Sequence, residues 1–106
     1  NHLYPTTAAI SDDTKRKLIE LANTRQIILI EDDSGCAINY TKNQPITLKS
    51  LDRLGSVIYL NSLNDLLPPP YDLGIILAPN NLIPEMAKYY NAFQRMNKSK
   101  KQLWSL

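Results

Sequence analysis

"VIYLNSLNDLLPPPYDLGIILAP", residues 57–79, decides how this chain is read. Two apolar, β-branched runs flank a polar knot that carries Asp65, Asp72 and three consecutive prolines. Such runs predict strands over residues 57–62 and 73–78. Only some ten residues join them, and a right-handed parallel crossover needs a dozen or more, so the spacing favours an antiparallel pairing. Asn64 and Asp65 are good turn formers, and residues 68–70 predict a stiff polyproline II segment.

Upstream, "QIILIEDD" places four apolar residues before Glu31, Asp32 and Asp33. The run predicts a strand over residues 27–32, buried on both faces and ending in acids. A buried strand with polar residues at its carboxyl end is an α/β signature, and in such sheets the ligand crevice lies at those ends. Before it, Ser11 is placed as an N-cap, with Asp12 and Asp13 in the first turn. Leu18, Leu21 and Ala22, widened by Ile19, form an apolar stripe, while Lys15, Arg16 and Glu20 fall largely on other faces. The pattern predicts a helix over residues 12–24. "LKSLDRL", residues 48–54, predicts a short helical turn. A second helix is expected over residues 81–97, capped by Asn80 or Asn81, with Pro84 in the first turn. Its stripe of Met86, Tyr89 or Tyr90, Phe93 and Met96 reads as core packing. Residues 1–10, "NHLYPTTAAI", read as extended chain or turn.

The chain has 106 residues, about one small domain, and 43 % of them are hydrophobic. A formal charge of +2, with basic residues dispersed apart from Lys98, Lys100 and Lys101, does not argue for nucleic-acid binding. The single cysteine, Cys36, rules out an internal disulfide and suits a reducing compartment. No run approaches the length of a membrane span, and nothing resembles a signal peptide, so the expectation is a soluble, cytoplasmic chain. One histidine and one cysteine give no soft-ligand cluster, the three acids at 31–33 lack the spacing of a calcium loop, and no P-loop or GxGxxG is present. No metal is expected.

The motifs, taken in order, resemble the aminotransferase-like domain of MocR-type regulators, a branch of the GntR group that joins a winged helix-turn-helix to a fold-type I pyridoxal-phosphate (PLP) domain. "NHLYPTT" is similar to S-H-Q-Y-P-T-G, "LIEDDSGCAINY" to I-I-E-D-D-Y-D-S-E-F-x-Y, and "PITLKSLD" to P-L-x-x-L-x-x-L-D. The opening stretch is similar to V-I-Y-x-G-S-F-S-K-T-L-x-P-G-L-R-L-G-Y-x-x-x-P, with no gap. The resemblance runs from His2 to about Ile83.

It implies an α/β fold, a three-layer fragment of the fold-type I large domain. The strand at 27–32 should lie parallel to that at 57–62, with 73–78 antiparallel. It also implies a set of PLP-site positions: Asp32, Ser34, Ser62, Asp65 and Asp72, with His2 and Tyr4 in the first motif. The departures from the family fall on these positions. The lysine that would carry PLP as an aldimine corresponds to Asp65, and the arginine that would grip its phosphate corresponds to Asp72. The tyrosine beside the ring oxygen corresponds to Ser34. The aspartate that pairs with the pyridine nitrogen is kept as Asp32. Between Glu31 and Pro84 the lysines are Lys42 and Lys49, both before the second strand.

PLP is therefore not expected to bind, and no catalysis is expected. Two unit charges ~4 Å apart repel by about 4 kcal/mol at a near-surface dielectric. If Asp32, Asp65 and Asp72 share one crevice, one or more should have a raised pKa or hold a cation. The expected function is a non-catalytic effector-sensing or dimerisation domain of a transcriptional regulator. The alternative is a fragment of a PLP-dependent class I/II aminotransferase. Residues 1–106 read as a single partial domain, a middle slice of the large domain, whose bare strand edges predict a homodimer or higher self-association. DNA would be reached only through a winged helix outside this sequence, and no membrane partner is expected.

Overall fold

The computed structural model describes residues 2–3, 8–34 and 45–104, with the side chains of residues 10–34 and 45–98. Tyr4, Cys36 and Lys42 lie outside the described residues, as does the side chain of His2. Two short strands, β1 (His2–Leu3) and β2 (Ala8–Ala9), pair antiparallel, with His2 opposite Ala9.

Helix α1 (Asp12–Arg25) starts where its cap is written. The Ser11 hydroxyl accepts the Thr14 amide at 3.2 Å, and Asp12 and Asp13 complement the amino-terminal dipole. The helix stops at Gln26, whose φ of 54° turns its N–H back onto the Ala22 and Asn23 carbonyls. Its buried face is Lys15, Ile19 and Ala22; of the expected stripe, Ile19 and Ala22 are buried and Leu18 packs partly buried against the core, while Leu21 does not. Leu21 is half exposed, and Lys15 is buried because its ammonium donates to the Ile46 carbonyl and sits 3.6 Å from Asp12.

The main sheet has the order β3 (Leu29–Asp32), β4 (Val57–Ser62), β5 (Gly74–Leu77). β3 runs parallel to β4 with Leu29 opposite Val57, and β5 runs antiparallel with Leu77 opposite Tyr59. Both directions agree with expectation. The crossover from β3 to β4 contains the short helix α2 (Leu48–Leu51), capped by Thr47. The link from β4 to β5 is a tight excursion through a single 3-10 turn, Asn64–Leu66. In it, residues 68–70 form a turn closed by the Tyr71 amide on the Pro68 carbonyl at 3.2 Å, with a cis Pro69–Pro70 bond, and not an extended polyproline II segment.

Side chains alternate across a strand, so the register separates two faces. Leu29, Glu31, Val57 and Tyr59 share one face. Helices α1 and α2 cover it, and Ile19, Leu48 and the fully buried Val57 form its core. Each such side chain contributes about 1.5–3 kcal/mol when fully buried. Ile30, Ile58, Leu60 and Ile76 share the other face, where Ile30 remains 66 % exposed and Ile76 50 %. The strand expected to be buried on both faces is thus covered on one, because among the described residues no element packs extensively on the second.

Helix α3 (Ile83–Trp104) begins two residues after Asn81 and runs beyond residue 97. Pro84 is in its first turn, but the residue preceding the helix is Leu82, whose carbonyl accepts the Met86 amide at 3.0 Å. Its aromatic stripe does not pack as a core: Tyr89 is 73 % exposed, and Tyr90, Phe93 and Met96 are also mostly exposed. No other described element packs extensively on α3.

Candidate functional site at the carboxyl end of the sheet

The strand directions bring five of the positions that the resemblance implies, Asp32, Ser34, Ser62, Asp65 and Asp72, to one end of the sheet. β3 and β4 are parallel, so Asp32 and Ser62 both lie at carboxyl ends, and the antiparallel β5 starts there with Gly74 opposite Ser62. Asp65, in the 3-10 turn, and Asp72, just before β5, belong to the same excursion. Side chain and backbone tie that loop together: Asn64 Oδ1 accepts the Leu73 amide at 2.9 Å, and the Leu63 amide donates to the Leu73 carbonyl at 2.9 Å. Ser62 is half-buried, and its hydroxyl accepts the Asn64 amide at 3.2 Å.

Asp32, Ser34, Asp65 and Asp72 are all exposed. Asp32 Oδ1 accepts both the Ser34 hydroxyl and, at 2.9 Å, the Ser34 amide. The hydroxyl first, and then the amide, hold the Asp32 carboxyl below its ordinary value against a small opposing effect of burial. The expected rise in a crowded acidic crevice is therefore not found at Asp32, because its own turn stabilises the anion. Among the described residues, no group of three or more histidine, cysteine or acidic side chains is placed to hold a metal ion.

Lys49, the one described lysine between Glu31 and Pro84, is committed elsewhere. Its ammonium donates to the Val57 carbonyl at 2.7 Å and lies 3.4 Å from Asp52 Oδ2. Val57 opens β4, so Lys49 is held at the amino end of the strand, away from Ser62 and Asp65.

The covered face carries a polar layer of Glu31, Asp33 and Tyr59. Glu31 is 4 % exposed, and its two carboxylate oxygens accept the Leu48 and Lys49 amides at 2.8 and 2.9 Å. Asp33 is also buried, and its Oδ1 has no hydrogen-bond partner among the described residues. Tyr59 is beside it and accepts from Asn61 Nδ2 at 2.8 Å. Burial, then the Asp33 charge, raise the Tyr59 phenol above its ordinary value, and the Asn61 bond only partly offsets them. The signal was the period of two: in "EDD" the first and third acids must share the face of Val57, and the second must not.

No known family profile matches the chain, and no solved structure matches it. Curated relatives do. The chain is 27 % identical over 85 residues to an uncharacterized aminotransferase of Saccharolobus solfataricus, covering 80 % of this chain and 21 % of that protein. It is 33 % identical over 79 residues to the mitochondrial kynurenine/alpha-aminoadipate aminotransferase of Rattus norvegicus, covering 74 % and 19 %. It is 29 % identical over 83 residues to the HTH-type transcriptional regulator NorG of Staphylococcus aureus, covering 78 % and 19 %. The chain spans about a fifth of the length of these relatives. Among the described residues, no helix is long and apolar enough to cross a membrane. The chain thus has weak homologues of two kinds, aminotransferases and HTH-type regulators, consistent with an aminotransferase-like domain of the MocR type.

Proposed function

We propose that this chain is the core of a non-catalytic, aminotransferase-like domain of a transcriptional regulator, one that has lost covalent PLP chemistry. The observation that carries the reading is the pair of exposed carboxylates, Asp65 and Asp72, at the sheet end where the resemblance implies a lysine and an arginine. The residues present do not fit the cofactor. A carboxylate has no amine to condense with an aldehyde, and a second one repels a phosphate. Lys49 does not substitute, since its ammonium is bound at the opposite end of β4. The domain would hold subunits together, or sense a ligand other than PLP, in a cytoplasmic regulator whose DNA contacts are made by another segment. The bare sheet face around Ile30 and the aromatic stripe of α3 support self-association.

The second reading, a fragment of a PLP-dependent aminotransferase, is favoured by the two relatives named as aminotransferases. One experiment separates the two. PLP is added to the chain, the aldimine absorbance is followed, and borohydride trapping is read by peptide mass spectrometry. The pseudoenzyme reading expects no stoichiometric adduct. A trapped adduct at one defined lysine overturns it.

A further inference from the structure

We propose that the cavity between α1 and the turn joining α2 to β4 binds a small organic monoanion, a carboxylate carried on an apolar body. The cavity lies at the end of the sheet opposite Asp32 and Ser62, so the inference does not rest on the function proposed for that end. Its volume is about 390 Å³, within the ordinary range of small-molecule sites.

The chemistry of the walls selects the ligand. Buried Ile19 and half-buried Leu51 supply an apolar surface. Arg16 enters from α1 and Arg53 from the turn after α2, and both are exposed. Lys15, Lys17 and Lys49 each pair with an aspartate on or capping their own helix. Arg16 and Arg53, among the described residues, have no hydrogen-bond or ion-pair partner. Two uncommitted planar forks facing one cavity suit a carboxylate, which accepts such donors in parallel pairs. Asn23 adds a neutral donor: its Oδ1 accepts the Ser56 hydroxyl at 2.6 Å, which orients the amide and leaves its NH₂ with no partner among the described residues. Glu20 also lines the cavity, so the wall carries one net positive charge. That balance favours a monoanion over a phosphate dianion.

The test is an amide-resolved NMR titration of the 106-residue chain with 3-phenylpropionate, with 3-phenylpropanamide and inorganic phosphate as comparison ligands. Saturable shifts are expected at Ile19, Asn23, Ser50 and Leu51, with the uncharged amide and phosphate binding more weakly. The Arg16→Ala/Arg53→Ala variant should bind at least about tenfold more weakly, with its spectrum unchanged away from the cavity. Arg53→Lys, which keeps the charge and loses the fork, should fall between the two. Glu20→Gln should bind about twofold more tightly. The proposal is overturned by an absence of saturable shifts, by equal binding of the uncharged amide, or by undiminished binding in the folded arginine variants. Tighter binding of phosphate overturns the ligand class.

Discussion

Glu31 and Leu48 are 17 residues apart, and the carboxylate of the first accepts the backbone amide of the second at 2.8 Å. The Lys49 amide fills the other carboxylate oxygen at 2.9 Å. Together they cap α2 from the sheet face beneath it and close the crossover between the parallel strands. A buried carboxylate serving two helix-terminal amides is worth more than a surface bond, because its removal takes the acceptor from two donors at once. Glu31→Ala should destabilise the chain by about 2 kcal/mol, and Glu31→Gln by less. Urea unfolding at neutral pH measures both.

Asp52 organises the next corner. Its Oδ1 accepts the Gly55 and Ser56 amides at 3.0 and 2.9 Å, and its Oδ2 accepts the Val57 amide at 2.9 Å beside the Lys49 ammonium. Burial works to raise its pKa, but the Ser56 and Val57 amides and Lys49 outweigh it and hold the carboxyl below its ordinary value. A lowered folded-state value means the stabilisation is complete above the unfolded value and is lost as pH falls through the folded one. The urea midpoint should therefore drop below about pH 4, and Asp52→Asn should be less stable at pH 7 but lose less on acidification. An equal acid loss in the variant would exclude Asp52 as the source.

Gly55 holds the same corner at φ 79°, where a side chain is strained. A Cβ there would also come within 3.4 Å of the Pro79 ring. Gly55→Ala should cost about 1–2 kcal/mol, read as a lowered urea midpoint with an unchanged slope.

Ile30 and Phe93 are 66 % and 61 % exposed on two apolar surfaces that no described element covers. Light scattering across a concentration series should detect a dimer or larger species. Ile30→Lys and Phe93→Lys should each shift the population toward monomer. A wild-type chain that stays monomeric at millimolar concentration would exclude self-association through these faces.

The helices and the three strands of the main sheet were legible because each is written locally. Ser11 and the two aspartates after it place the start of α1, and the short link after Ser62 makes β5 turn back on β4. Asn81 misled at α3, since the helix starts at Ile83 after a turn that the Leu82 amide closes on the Pro79 carbonyl. Burial was less legible. Lys15 was assigned to an outer face by its charge, yet the Ile46 carbonyl and Asp12 satisfy its ammonium inside. The expected acidic crevice gave way at Asp32 to a local turn with Ser34.

By itself the sequence determined the kinds of elements, their order, the opposed directions of β4 and β5, and the presence of acids at positions 65 and 72. These follow from side-chain period, caps and link length, which act over a few residues. Only the tertiary structure decided which sheet face is covered, that Glu31 caps a distant helix, that Lys49 is held at the far end of β4, and that Arg16 and Arg53 open onto one cavity. Each of those depends on groups far apart in the chain meeting in space, where desolvation and hydrogen-bond geometry, not residue type, determine the outcome.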